Sequence, residues 1–219
     1  MASVLLLSGG LDSLVAAWDA RDDHPPLLAI TFDYGQRSAC REIEAALRMA
    51  AEMGVDHRLI KLPWMKRLAP DDIANPSRDI SSASDSSVWV PARNAVFISI
   101  AAAHAEAYDC DAIVCGFNAE EAATFPDNSA EFVRRTDAML ELATRNGPRV
   151  VCPTLTLTKR EIVELGISSD APLSLIWSCY SDAQEHCWRC PSCRRLRSAL
   201  EEAGHLEQWS EQKRAADVL

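Results

Sequence analysis

The chain has 219 residues, 48% of them hydrophobic, and a formal net charge of -10, which suits one compact domain with a short appendage and a full core. No run approaches the roughly 18 uninterrupted apolar residues that a membrane span requires. The acidic balance, with a pI near 5.0, opposes broad binding to nucleic acid, though it leaves room for a local basic pocket.

Taken in order, Val4 to Leu7 reads as a strand and Ser13 to Ala20 as a helix. The start, MASVLLLSGG, lacks a basic n-region and runs straight into a glycine turn. A buried first strand rather than a signal peptide is expected, and with it a cytoplasmic location. Leu27 to Phe32 is a second strand and Arg41 to Met53 a helix, with Ile43, Leu47, Ala50 and Ala51 at helical spacing. His57 to Leu62 is a third strand. Pro63 to Val88, rich in Ser, Asp and Pro, is long for a connection and is expected to be a mobile lid or partly disordered. Ala92 to Tyr108 is a long apolar helix that predicts burial on more than one face. Ala112 to Phe117 is strand four, Ala130 to Arg145 a helix, Arg149 to Cys152 strand five, and a further helix starts at Lys159. This succession of apolar strands and amphipathic helices predicts an α/β fold, a doubly wound and mostly parallel five-stranded sheet over residues 1–170. Residues 171–219 form a C-terminal cysteine-rich segment with a helical tail. Ligands of such sheets bind beyond the carboxyl ends of the strands, so functional residues are expected just after each strand.

SGGLDS, comprising Ser8, Gly9, Gly10, Leu11, Asp12 and Ser13, joins the first strand to the first helix. Two glycines allow a tight turn and close approach to an oxyanion, two serines add hydroxyl donors, and the helix start supplies free N–H groups. A pyrophosphate cradle follows; the absence of GK[ST] sets it apart from a Walker A loop. SGGxDS resembles the signature of the PP-loop ATP pyrophosphatases, which cleave ATP between the α- and β-phosphates and adenylate a substrate. The resemblance links Asp12 to Mg2+ and pyrophosphate. A cation must meet the charge that builds on the leaving group, and Lys159, opening a helix after the fifth strand, is the candidate. The segment TKREIVELG resembles the corresponding one of that superfamily.

Of eight cysteines, Cys40, Cys110, Cys115 and Cys152 lie scattered among apolar residues and are expected to be small buried hydrophobes. Cys179, Cys187, Cys190 and Cys193 form a C-x7-C-x2-C-x2-C array. Four soft ligands at these gaps suit a closed, structural tetrahedral Zn2+, with an iron–sulfur cluster or a redox pair as alternatives. His186, beside Cys187, reads as a surface residue.

FDYGQR, VPARN, GFNAEEAATFPDNSAEF, LTLTKREIV and the cysteine array, in this order after SGGLDS, resemble the 7-cyano-7-deazaguanine synthase family over roughly residues 3–204. The resemblance implies a queuosine-pathway ligase that adenylates 7-carboxy-7-deazaguanine with ATP, passes it to ammonia as an amide, and dehydrates the amide to a nitrile with a second ATP. It also implies an adenine nucleotide alpha hydrolase-like fold and a homodimer. Ser8 to Ser13 would hold phosphates, Asp12, Lys159 and Arg93 would be catalytic, and Tyr34, Gln36, Arg37, Asn94, Phe117, Asn118, Phe125 and Asp127 would receive the substrate. Departures cluster in the substrate half. EAATFPDNS replaces the usual run after strand four, so the usual Cys-Arg is Asn128-Ser129. Ser38 replaces a His, Ile176 a Thr, Trp188 a Gly, and Leu196 an Arg. They leave open a paralogue that passes the adenylate to another amine, for example on a protein.

Overall fold

The computed structural model describes residues 2–216 apart from Ser82 and Asp85. Five strands, β1 (Ser3–Leu6), β2 (Pro26–Asp33), β3 (Asp56–Lys61), β4 (Ala112–Val114) and β5 (Arg149–Val151), form one sheet in the order β3-β2-β1-β4-β5. Every pairing is parallel. The connections carry α1 (Leu11–Ala20), α2 (Ala39–Glu52), the single turn α3 (Asp71–Ala74), α4 (Arg93–Ala107), the single turn α5 (Ala119–Ala122), α6 (Ala130–Ala143) and α7 (Lys159–Ser168), with α8 (Pro191–Glu202) and α9 (Leu206–Ala216) at the end.

Alternation along the strands builds two cores. Leu5, Leu7, Ala29 and Val114 point to one face and meet α1, α2, α7, α8 and α9. Val4, Leu28, Ile30, Phe32, Ile113 and Val150 point to the other and meet α4 and α6. Burial of both faces explains why these strands read as continuous apolar runs. Only β3, at the edge, is largely exposed. The order in which strands are added reverses at β1, which is central, so the crevice past the carboxyl ends of β1 and β4 is the topological switch point.

Two expectations are corrected. Strand four stops at Val114, three residues early, because Gly116 turns the chain against the start of α1: a Cβ there would lie 2.4 Å from the Asp12 carbonyl carbon. The described part of residues 63–88 is packed rather than lid-like, with Met65, Ile73, Ile80 and Val88 buried. The Arg37 guanidinium ties it down by donating to the carbonyls of Pro76 (2.9 Å) and Arg78 (2.8 Å). α4, expected to bury more than one face, buries one fully through Ile98, Ala101, Ala102 and Ala105, with Val96, Phe97 and Ile100 only half-buried beside it. Cys110 and Cys115 are buried and Cys152 half-buried, whereas Cys40 is exposed, one residue into α2 and away from both cores. Among the described residues, no helix is long and apolar enough to cross a membrane.

Candidate active site

Residues 8–10 make the turn from β1 to α1. Gly9 has φ +81, and a Cβ there would come 2.5 Å from the Glu42 carbonyl oxygen, so backbone conformation and the approach of α2 both require glycine. The loop's hydroxyls order it from within. Ser8 Oγ and Ser13 Oγ are 3.0 Å apart, Ser8 N–H donates to Ser13 Oγ (3.2 Å), and Ser13 Oγ donates to the Gly10 carbonyl (3.1 Å). From the C-terminal segment, Trp177 N–H donates to the Gly9 carbonyl (2.8 Å). The start of α1 thus faces the crevice with its positive dipole end.

Asp12 stands in the first turn of α1. One of its carboxylate oxygens accepts from Lys159 Nζ and, at 3.2 Å, from Asn118 Nδ2. Lys159 also pairs with Glu121 at 3.1 Å. Lys159 reaches this point because Thr158 and Glu161 close a capping box that starts α7 beneath the crevice: Thr158 N–H donates to the Glu161 carboxylate (2.8 Å), and Glu161 N–H to Thr158 Oγ1 (3.3 Å). Burial alone would lower the lysine, but the two carboxylates outweigh it and hold the ammonium firmly protonated. Burial pushes Asp12 up against the pull of Lys159. Glu121, also raised by burial, ends below its ordinary value because Lys159 and then Arg195 outweigh that effect. The other Asp12 oxygen, Oδ1, is buried with no hydrogen-bond partner. A buried anionic oxygen with nothing to accept from suits a hard divalent cation, so Asp12 fits Mg2+ accompanying a nucleotide.

Arg93 opens α4 after Ala92, whose φ of 55 is left-handed. Its guanidinium donates to the Tyr34 hydroxyl at 3.4 Å. Burial disfavours its charge, but Tyr34, then Asp127 and Glu121, more than restore it. Tyr34, Gln36, Arg37, Asn94, Phe117 and Phe125 line the same cleft as Ser8, Gly10, Asp12 and Lys159. Several of these are committed elsewhere. Gln36 braces its own turn, accepting from Tyr34 N–H (2.9 Å) and donating to the Phe32 carbonyl (3.0 Å). Asn94 Nδ2 donates to the Asp127 carbonyl (3.2 Å), and the Asp127 carboxylate accepts from Asn94 N–H (3.3 Å), so Asp127 caps α4. Asn118 caps α5 by accepting from Glu121 N–H at 2.9 Å. The Phe117 ring is buried against Phe132, and Phe125 stacks on Trp89 with centroids 5.7 Å apart.

The cleft also holds residues that the motifs did not single out: Glu42, Glu121, Tyr180 and Arg195. Arg195 donates to the Tyr180 hydroxyl at 3.4 Å, and burial pushes that phenol up to about 12. Arg195 comes from the position before Leu196, and Leu196 itself is buried.

The sulfurs of Cys179, Cys187, Cys190 and Cys193 all lie within 4.8 Å of one another, those of Cys187 and Cys193 at 3.9 Å. Four ligands about 2.3 Å from a tetrahedral zinc sit about 3.8 Å apart, so the set fits. Backbone N–H groups point at the sulfurs, Ser181 and Cys187 at Cys179, Arg189 and Cys190 at Cys187, and Cys193 at Cys190, all at 3.3–3.4 Å, which stabilises thiolates. Trp188, inside the first CxxC, has φ 54, a left-handed conformation that favours the glycine it replaces. Its ring is held among others. His186 is buried, not on the surface, because Trp177, Trp188 and Trp209 surround it with centroids at 4.6, 5.4 and 5.6 Å. Its Nε2 accepts from Ser178 N–H at 3.2 Å.

The chain is similar over most of its length to known proteins. The family model described as queuosine biosynthesis protein QueC matches residues 2–204. A 7-cyano-7-deazaguanine synthase from Pelotomaculum thermopropionicum is 45% identical over 93% of this chain and 98% of its own. One from Methanothermobacter thermautotrophicus is also 45% identical, over 93% and 96%. In fold the chain is similar to an NMN synthetase from Francisella tularensis, with TM-score 0.50 and 18% identity over 98% of this chain and 84% of that one. It is also similar to a 4-thiouridine synthetase solved with RNA and ATP, with TM-score 0.50 and 21% identity over 99% and 53%. With the SGGLDS loop, Lys159 and the four-cysteine knuckle in place, the chain belongs to the QueC family of queuosine biosynthesis proteins.

Proposed function

We propose that the protein uses two ATP to convert 7-carboxy-7-deazaguanine and ammonia into 7-cyano-7-deazaguanine, through an acyl-adenylate and an amide. The observation that carries this reading is the meeting of Asp12, Lys159 and the phosphate loop in one cleft with Arg93, in a chain 45% identical to proteins named for that synthesis. A carboxylate is a poor electrophile, and adenylation gives it a leaving group; the protein's part is positioning and charge stabilisation. In this reading the N–H groups and hydroxyls of residues 8–13 hold the phosphates, and Lys159 meets the charge of departing pyrophosphate. Asp12 would hold Mg2+ through its unpartnered Oδ1, and the ion would supply charge neutralisation to the phosphates. Arg93 receives a phosphate or the substrate carboxylate, while Phe117 and Phe125 border the base. The four cysteines would hold Zn2+, which would fix the segment that carries Trp177. A cytoplasmic homodimer, and a division at residue 170 between the ATP domain and the cysteine segment, belong to the same reading.

The test is incubation with ATP, Mg2+, 7-carboxy-7-deazaguanine and ammonium, with AMP and products followed by mass. Nitrile formation supports the proposal. AMP accompanied only by amide, or by a modified protein, favours the paralogue that uses another amine. No carboxylate-dependent AMP refutes both.

A further inference from the structure

Three carboxylates line the cleft, and two have evident duties. Asp12 and Glu121 share Lys159. The third, Glu42, reaches in from the first turn of α2 beside the SGGLDS loop. Its two oxygens accept from the Ser38 hydroxyl (2.6 Å) and the Gln36 amide (2.9 Å), both uncharged donors, which leaves lone pairs over on each oxygen. The facing charged and titratable groups are Arg93 from α4, Tyr34 from the turn after β2 and Asp182 from the cysteine segment. We propose that Glu42 is the ammonium site of the reaction: it binds NH4+ in the cleft and takes the proton that turns it into a nucleophile. This rests on the reaction proposed above.

The chemistry requires such a group. Ammonium is almost wholly protonated near neutral pH and has no lone pair to attack with. One proton passes from NH4+ to a Glu42 oxygen. The freed pair on nitrogen forms the C–N bond at the acyl carbon, and the C–O bond to AMP breaks with its electrons leaving on the phosphate. The second proton is lost to water as the adduct collapses. Lys159 and Arg93 cannot accept a proton in this range. Burial pushes the Glu42 carboxyl above its ordinary value, which brings its basicity closer to that of its substrate.

Carboxylate-dependent exchange of labelled pyrophosphate into ATP reports adenylation without ammonia, so it separates the two half-reactions. Glu42→Gln is expected to keep exchange within about threefold while ammonium-dependent amide formation falls about 100-fold, the scale of general-base catalysis. Hydroxylamine is already neutral near pH 7 and should restore the variant's acyl transfer to nearly the wild-type rate, as the hydroxamate. Glu42→Asp keeps an acid and should retain more ammonium-dependent rate than Glu42→Gln. Equal losses with ammonium and hydroxylamine, or equal losses in the Gln and Asp variants, overturn the assignment. Absence of exchange in the wild-type protein overturns the adenylation reading and the Glu42 assignment with it.

Discussion

Gly9 and Gly54 allow the phosphate loop to be tested with an internal control. Both have left-handed backbones, φ +81 and φ +66, but a Cβ at Gly54 meets nothing within 4 Å, whereas one at Gly9 lies 2.5 Å from the Glu42 carbonyl oxygen and 3.1 Å from Ala45 Cβ. An alanine in this conformation costs about 1–2 kcal/mol at either site. At Gly9 the overlap is with backbone, which moves only if α2 moves, and overpacking of that kind adds about 1–3 kcal/mol. Gly9→Ala should therefore be less stable than Gly54→Ala by about 2 kcal/mol, readable in urea unfolding as a lower midpoint at similar slope. In thermal unfolding the difference corresponds to a Tm about 4–8 °C lower for a chain of this size. ATP binding by calorimetry should survive in Gly54→Ala and vanish in Gly9→Ala. Equal destabilisation of the two variants, or full ATP affinity in Gly9→Ala, would refute the claim that α2 and the loop interlock at this glycine.

Gly116→Ala should abolish nucleotide binding with little effect at the sheet edge, because its Cβ would lie 2.4–2.5 Å from Asp12 and Ser13 backbone atoms; titration with an ATP analogue checks this. Lys159→Met should eliminate pyrophosphate exchange and lower stability at neutral pH by about 1–3 kcal/mol, since it leaves two half-buried carboxylates without their cation. The sign with pH follows from Glu121, whose folded value lies below its ordinary 4.5. In the wild type its contribution is present above pH 4.5 and is lost on acidification through the lower folded value. The variant lacks that term and gains relief from protonation, so the gap between the two should narrow at low pH in urea titrations. Chelation should remove one metal ion per chain and lower both Tm and ATP affinity, because the loop between Trp177 and Cys193 both carries the cysteines and donates to the Gly9 carbonyl. Unchanged nucleotide affinity in the metal-free protein would count against that link.

Much of the architecture was legible because parallel strands buried on both faces have no alternation to hide, and because glycines, capping residues and paired cysteines punctuate them. SGGLDS and TKRE sit where β1 and β5 end, and their spacing carries local chemistry: a turn, a helix start, a capping box. Glu121 was lost in an acidic run, although it lies soon after β4, where ligands are expected. Glu42 has an ordinary helical spacing, and only the packing of α2 against Gly9 brings it inward. His186 was misplaced because its neighbours in sequence are polar, while the indoles that enclose it come from positions 177, 188 and 209. Arg37 and Asn94 carry the residue types of a ligand pocket and line the cleft, and each also donates to backbone carbonyls. Such commitments depend on distant chain and leave no local trace.

The position of β1 in the middle of the sheet has a consequence for local opening. Margins fray first, and here β3 and β5 are the margins, each with one neighbour, whereas β1 is bonded on both sides. The amides of Val4 to Leu7 should accordingly exchange with solvent only in the rarest, most global openings. The SGGLDS loop is thus hung from the last part of the molecule to come apart, and excursions at either flank should leave its register undisturbed.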